Sequence, residues 1–287
     1  MANFSFLSDA GWRLPPFCIR YSAGLGSLEL AELTHVQALL MVLLVFMLMQ
    51  LIQYGVKLLR FRPYIKMLQR QQPAYYAALP PHLRRRFERR VADFVLRKTF
   101  ISRGRHFKVT LAMEVSIAAA AVQLTFGLAP VFLSHFSKIL VYPDRYYSTI
   151  SKRYHCGEVN MRGYIVLSWK DFESGYRNGT DGFNLGLHEM AHALHFENII
   201  QNNEYGFLDS AHLQQWNELA AHEMQLRQQK PEGFLRLQAC HDEHEFFAVS
   251  TESFFERPHH FSQHHPDLYQ ALATLLQQDP ARQVYQV

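Results

Sequence analysis

The sequence predicts a mostly helical α+β protein that has a small β-sheet and is preceded by one transmembrane helix. Three observations predict this fold: a long apolar run near the amino terminus, short strand-like segments in the middle, and an apolar helix with two histidines four residues apart. With 287 residues, the chain is long enough for one large or two modest domains. Its net charge of +4 is too small to indicate a nucleic-acid partner, and none is expected.

The apolar run lies within residues 33–56 and follows a short amino-terminal extension, residues 1–32. A helix needs about 20 residues to cross a bilayer, so this segment is long enough. A buried core helix stays open as an alternative, because Gln37, Gln50 and Gln53 flank the run. Arg20 is the nearest basic residue before it, whereas several follow it closely: Lys57, Arg60, Arg62, Lys66 and Arg70. The positive-inside rule then places the carboxyl-terminal side in the cytoplasm.

Residues 57–104 are interpreted as a basic helical connector, which ends at Ser102-Arg103-Gly104. Its apolar residues recur at helical spacing: Leu83, Phe87, Val91, Phe94 and Val95. The opposite face carries a dense basic run: Arg84, Arg85, Arg86, Arg89 and Arg90. A solvated helix face explains this run better than a patch for an anionic partner. The three cysteines are widely spaced and odd in number, which indicates a reducing compartment rather than a disulfide framework.

The remaining domain, residues 105–287, begins with an apolar helix at Val109–Leu124. Strands are predicted at Lys138–Tyr142, around Val159–Asn160 and at Tyr164–Trp169, with a glycine-rich loop at Ser174–Gly182. These strands come just before the histidine-bearing helix, so we expect a small sheet beside its face. An open edge of such a sheet can hold an extended peptide by main-chain pairing.

The histidine-bearing helix contains His188-Glu189-Met190-Ala191-His192, the H-E-x-x-H pattern. Positions four apart share a helix face, so His188 and His192 can bind one metal ion. Glu189 can then reach a water on that metal, which is the chemistry of amide hydrolysis. A chance pair is conceivable, since the chain has 16 histidines. An apolar helix that buries two imidazoles and a carboxylate nevertheless needs a compensating partner, which favours a metal.

A catalytic zinc site usually has three protein ligands, so one more is expected downstream. The candidates are Glu197, Glu204, His212, Glu218, His222, Glu223, Glu245 and Glu252. Glu245 and Glu252 have the most suggestive context, because they share one face of a phenylalanine-rich helix predicted from His244 to Phe255. A further helix is expected at Ala211–Gln228. Spacing alone leaves the choice of the third ligand open.

A family resemblance runs in order through residues 79–280. The matching segments are Leu79-Pro80, Gln123–Gly127, Val141-Tyr142-Pro143, Gly157-Glu158-Val159, Leu167-Ser168-Trp169, Asn184–Glu189 and Glu245–Val249. On these residues the chain resembles the Mlc titration factor A family of zinc-dependent peptidases, and Glu245–Ala248 also resembles the metal-site helix of anthrax lethal factor. The resemblance implies a gluzincin-like metallopeptidase domain, with Zn²⁺ held by His188, His192 and Glu245. It further implies that Glu189 is the general base and that Glu252 has a supporting role.

One position departs from the family. Seven residues before Glu245 the family usually has a tyrosine that helps to stabilise the oxyanion, and this chain has Gln238. Loss of an oxyanion donor costs a few kcal/mol in the barrier, so slow turnover is expected. The predicted function is a single-pass peptidase of the bacterial inner membrane with its catalytic domain in the cytoplasm, acting on a peptide or protein substrate. The alternative is a binding module that sequesters a regulatory protein partner.

Overall fold

The computed structural model describes residues 22–148, 152–200, 207–229 and 233–285. The chain divides into two compact units, Met1–Arg60 and Phe61–Val287. Residues 1–21 of the predicted amino-terminal extension lie outside the described part of the chain. Residues 61–104, most of the predicted basic connector, belong to the second unit together with the histidine motif.

The first long element is helix α1, Ser22–Gln71, which extends beyond both ends of the predicted transmembrane segment. Within it, Gln37–Gln71 is long and apolar enough to cross a membrane, with a mean hydropathy of 2.2 over its most apolar 18-residue stretch. None of that stretch is buried inside the protein, and side chains such as Leu44 and Phe46 are more than half exposed. The alternative of a buried core helix would require these side chains to be covered.

Nine further α-helices are described in the second unit. They are α2 (Ala74–Ala78), α3 (Pro81–Arg97), α4 (Leu111–Thr125), α5 (Trp169–Arg177), α6 (Leu185–Ile200), α7 (Ser210–Gln229), α8 (Glu243–Glu256), α9 (Pro258–His264) and α10 (Pro266–Leu276). A short 3₁₀ turn, Leu237–Cys240, precedes α8. The predicted helices at α4, α7 and α8 lie within a few residues of the observed bounds.

The main sheet has four strands in the order β1 (Thr99–Ser102), β2 (Lys138–Tyr142), β6 (Tyr164–Ser168) and β5 (Gly157–Asn160). The first three are parallel, and β5 is antiparallel to β6. Two short hairpins complete the described strands: β3 (Tyr146–Ser148) with β4 (Arg153–His155), and β7 (Gln278–Asp279) with β8 (Val284–Tyr285). The predicted Lys138–Tyr142 strand is therefore β2, buried on one side through Ile139 and Val141.

Three local expectations differ from the structure. The connector helix was expected to end at Ser102-Arg103-Gly104, whereas α3 ends at Arg97 and Thr99–Ser102 form strand β1, which pairs with β2 in parallel. The predicted strand at Tyr164–Trp169 stops at Ser168, whose side chain caps α5 by accepting a hydrogen bond from the Asp171 amide. Helix α5 consequently extends into the stretch that was expected to be a loop.

The core of the second unit is built where α6 packs against α4 and α8. Helix α4 is buried through the small residues Ala118–Ala121, which let a neighbouring helix approach closely. Gly186 makes this approach possible on the α6 side, because a Cβ there would lie 2.5 Å from a ring carbon of Phe172 and 3.2 Å from the methyl group of Ala120. As a result, the amino-terminal turns of α6 are buried inside the domain.

The arginine run on α3 contributes to this packing as well as to the surface. Arg90 donates from its guanidinium to the carbonyl oxygens of Thr125, Phe126 and Leu128, at 2.7–3.1 Å. These carbonyls lie at the carboxyl end of α4, where helices lack internal partners and favour positive charge. Arg85 and Arg89, by contrast, are exposed to solvent, as expected for a solvated helix face.

The Arg90 contacts predict that Arg90→Met lowers the free energy of unfolding by about 1.5–3 kcal/mol, the usual contribution of hydrogen bonds to a charged group. Chemical denaturation of the full chain in detergent measures this difference. The exposed neighbour supplies the control, since Arg89→Met should change the same free energy by less than about 0.5 kcal/mol. Equal effects of the two substitutions would contradict the capping role.

Candidate metal centre

Asn184 fixes the start of α6. Its side-chain oxygen accepts a hydrogen bond from the Leu187 amide at 3.0 Å, and its carbonyl accepts one from the His188 amide at 2.9 Å. Its own amide donates to Glu252 at 2.5 Å, and its side-chain nitrogen donates to Glu256 at 2.9 Å. Two carboxylates of α8 therefore hold the amino-terminal end of α6, where a helix favours negative charge.

From this anchored turn, α6 directs His188 and His192 towards Glu245 on α8. The Nε2 atoms of the two histidines are 3.1 Å apart. His188 Nε2 lies 3.5 Å from Glu245 Oε2, and His192 Nε2 lies 3.3 Å from Glu245 Oε1. Among the described residues, these three side chains form the group of histidine, cysteine and acidic residues whose ligand atoms converge within 4.8 Å.

The spacing of these atoms fits a metal ion. Ligands about 2.0–2.1 Å from a tetrahedral zinc ion are about 3.3 Å from one another, which agrees with the observed separations. The protonation pattern fits as well. His188 Nδ1 lies 2.8 Å from Glu252 Oε1, and a carboxylate can only accept there, so in the neutral imidazole Nε2 retains a lone pair that faces the cluster. Two imidazole nitrogens and a carboxylate oxygen facing a common point are a donor set suited to zinc.

The protonation equilibria of the cluster reflect its burial and its carboxylates. Burial alone would lower the pKa of His188, but the hydrogen bond to Glu252 and the charges of Glu189, Glu252 and Glu245 raise that pKa above its ordinary value. Burial lowers the pKa of His192. For Glu245, burial is outweighed by the hydrogen bond from His192 and by both histidine charges, which lower its pKa to about 2. Glu245 is therefore an anion ready to bind a cation.

Glu189 lies beside the cluster and against strand β5. Burial raises the pKa of its carboxyl group to about 8. A Cβ added to Gly157 would lie 2.1 Å from Glu189 Oε1, so the strand backbone leaves room for this carboxylate only because residue 157 is glycine. The glycine in the strand is thus explained by a close approach between β5 and Glu189.

The other candidate ligands lie elsewhere or have other partners. Glu252 contacts the Nδ1 side of His188, away from the converging atoms. Glu197 is buried and accepts from the His135 amide, Glu223 faces His265, His212 faces Asp209, and Glu218 accepts from Gln214. His222 is exposed, and Glu204 lies outside the described residues. Gln238 donates from Nε2 to Glu245 Oε2 at 2.7 Å.

A cleft of about 720 Å³ opens over the cluster. Strand β5 lines one side, and in the described chain β5 pairs with β6 alone, so its outer edge is open. Tyr154 and His155 of the β3–β4 hairpin, Phe183, Arg236 and His244 also line it. The predicted arrangement of a small sheet with an open edge beside the histidine helix is therefore present.

Three residues of this site were not anticipated for the parts they have here. Asn184 carried a usable signal, since an asparagine directly before an apolar helix is a typical N-cap. Gly157 carried another, because glycine inside a strand marks a close approach. Arg236, which contacts Glu252, carried none: its importance depends on the three-dimensional proximity of α8 and the 3₁₀ turn.

Comparison with known proteins finds relatives that share most of their length with this chain. The chain is 28% identical over 214 residues to an uncharacterized protein of Synechocystis, covering 69% of this chain and 78% of the relative. It is 26% identical over 213 residues to Mlc titration factor A of Edwardsiella ictaluri, covering 68% of this chain and 81% of that protein. It is also 28% identical over 171 residues to Mlc titration factor A of Escherichia coli, with coverages of 54% and 64%.

The family model described as glucose-regulated metallo-peptidase M90 matches residues 56–277, which is most of the chain and includes the whole cluster. The match covers both helices that supply the converging side chains, α6 and α8. The chain therefore belongs to the glucose-regulated metallo-peptidase M90 family.

Proposed function

We propose that this protein is a zinc-dependent metallopeptidase of the gluzincin type, with His188, His192 and Glu245 as metal ligands and Glu189 as general base. The observation that carries the proposal is the convergence of the three ligand atoms beside a buried carboxylate, at the floor of a cleft with an open strand edge. Membership of a metallopeptidase family supports the same chemistry.

A zinc ion held by these residues supplies Lewis-acid polarisation of a peptide carbonyl and activation of water for attack. The chain's own contribution begins with Glu189. In its ionised form, an oxygen of this carboxylate takes a proton from the attacking water, and the same group then gives the proton to the nitrogen of the leaving amine. A pKa near neutrality suits both steps. Burial raises the pKa of Glu189, and the charge of a bound cation would lower it towards neutrality.

The open edge of β5 supports an extended peptide as the substrate. Its unpaired backbone groups can form ladder hydrogen bonds with the main chain of a peptide lying in the cleft. Gly157 on this strand touches Glu189, so a peptide paired there would present its carbonyl groups next to the general base. The main-chain pairing would supply affinity with little dependence on side-chain sequence.

Gln238 makes the proposed enzyme slow. In the family, a tyrosine at this position is expected to donate a hydrogen bond to the developing oxyanion. The side-chain amide of Gln238 instead donates to Glu245, one of the proposed ligands. A missing oxyanion donor typically costs a few kcal/mol in the barrier.

A membrane anchor is the second part of the proposal. The exposed apolar part of α1 is followed by Lys57, Arg60, Arg62, Lys66 and Arg70. The proposed topology is one span of the bacterial inner membrane, with the peptidase domain on the cytoplasmic side, where such basic residues concentrate.

A regulatory binding module is the competing function. It is favoured by the name of the relatives, which describes titration of Mlc, and by the altered oxyanion support at Gln238. In this reading the protein captures a transcriptional regulator and the metal serves to stabilise the fold.

The ligand assignment predicts that the purified full chain contains one zinc ion per molecule, measured by inductively coupled plasma mass spectrometry. Glu245→Ala removes a charged ligand and should leave substoichiometric zinc after dialysis. Glu243→Ala removes an exposed carboxylate from the same helix and should retain full zinc content. Equal zinc contents in the two variants would exclude Glu245 from the site.

Zinc occupancy should also depend on pH, because protons compete with the metal for the lone pairs of the histidine ligands. Occupancy is expected to be highest above the ordinary histidine pKa of about 6.5 and to fall as the pH decreases below it, because His188 and His192 then take up protons. Equilibrium dialysis against buffered zinc at a series of pH values measures the transition. Occupancy that stays constant down to pH 4 would indicate ligands other than histidine.

The role of Glu189 predicts that Glu189→Gln keeps its zinc and lowers hydrolysis of fluorogenic peptides about 10²–10⁴-fold, because the amide cannot accept the proton. Glu173→Gln, a substitution on the surface of α5, should hydrolyse them at the wild-type rate. Undiminished hydrolysis by Glu189→Gln would remove Glu189 from catalysis. Capture of purified Mlc by wild type and by Glu189→Gln alike, with no peptide hydrolysis by either, would favour the binding module.

A further inference from the structure

We propose that Arg236 is a positioning residue for the metal centre, which holds His188 in its metal-binding orientation by fixing Glu252. This inference rests on the proposed function, since it concerns residues that orient one of the same proposed ligands.

The contacts of Glu252 define the arrangement. This side chain is 2% exposed, and its Oε1 atom accepts from His188 Nδ1 at 2.8 Å and from an Arg236 guanidinium nitrogen. Its Oε2 atom accepts from the Asn184 amide at 2.5 Å. A carboxylate buried this deeply is stable only when charge and hydrogen bonds compensate it. Of its three donors, Arg236 is the one that carries a permanent positive charge.

Arg236 is itself held in place. Its guanidinium carbon lies 4.1 Å from the centre of the Phe183 ring, a stacking contact that fixes the plane of the group. Its side chain is 18% exposed, at the wall of the cleft. The residue immediately precedes the 3₁₀ turn Leu237–Cys240, and Gln238 in that turn donates to Glu245. One short segment of chain thus reaches two of the three proposed ligands, one directly and one through Glu252.

The two histidines differ in what orients their rings. The hydrogen bond from its Nδ1 to Glu252 fixes both the tautomer and the ring orientation that aim Nε2 at the metal. His192 Nδ1 is buried and has no hydrogen-bond partner in the described part of the chain. If Arg236 is removed, Glu252 loses its charged partner and can rotate away from His188. The His188 ring then loses the hydrogen bond that orients it.

The test measures the zinc dissociation constant of the full chain in detergent by competition with a chelating dye. Loss of such outer partners typically weakens metal binding 10–100-fold, and this range is expected for Arg236→Gln and for Glu252→Gln. Arg236→Lys keeps the charge but loses the planar fork, so its affinity should lie between that of wild type and that of Arg236→Gln. Arg145→Gln is the matched control, because Arg145 also lines the cleft but pairs with Asp171, and it should bind zinc as wild type does.

The double variant separates positioning from a general effect on stability. Because Arg236 acts through Glu252, the combined Arg236→Gln and Glu252→Gln substitutions should weaken zinc binding no more than the stronger single substitution does. Wild-type affinity in Arg236→Gln, or effects that multiply in the double variant, would overturn the proposal. A general folding defect would show as a lower melting temperature of the metal-free Arg236→Gln protein, together with a zinc affinity in Arg236→Lys no better than in Arg236→Gln. That result would also overturn the proposal.

The same measurement keeps the two proposals distinguishable. A wild-type chain that binds no zinc would refute the metallopeptidase proposal and this inference together. A wild-type chain that binds zinc as tightly as Arg236→Gln does would refute only the role of Arg236.

Discussion

The attachment of two α8 carboxylates to the amino-terminal end of α6 is the interaction on which the rest of the site depends. Glu252 and Glu256 are one helical turn apart, and both accept hydrogen bonds from Asn184. Glu256 also accepts from the Gly182 amide at 2.9 Å. Negative charge at this end of a helix is favourable, and the unpaired amides of the first turn need acceptors. The contact therefore sets the position of α6 relative to α8, and with it the separation of His188 from Glu245.

Once the two helices are fixed, the remaining parts of the site follow from packing. Small residues on α4 and the glycine at position 186 let α6 lie deep in the domain, which desolvates Glu189 and raises its pKa. Gly157 then lets the edge of the sheet approach that carboxylate without a clash. Burying so many ionisable groups in one place is unfavourable in the absence of a cation. A metal ion bound at the converging atoms would offset much of that cost, which is why the composition of the cluster favours a bound cation.

Much of this arrangement could be predicted from the sequence, because its strongest parts are local. The shared face of His188 and His192 follows from helical spacing alone, and the short run Lys138–Tyr142, stopped by Pro143, correctly predicted β2. Non-local features were not accessible in the same way. Strand β1 exists because β2 is available to pair with it, and the choice between Glu245 and Glu252 depends on which of them the tertiary fold turns towards Nε2 of His188. Arg236 is hidden for the same reason, since it reaches His188 only through a third residue.

The central claim is that two imidazole nitrogens and one carboxylate oxygen hold zinc at the junction of α6 and α8. X-ray absorption at the zinc edge, recorded on the purified full chain, tests this claim most directly. We expect a first shell of nitrogen and oxygen only, at about 2.0–2.2 Å, with the outer-shell scattering of two histidine rings. In Glu245→Ala, any zinc that remains should show a changed first shell. A shell containing sulfur at about 2.3 Å, or scattering from fewer than two imidazole rings, would contradict it.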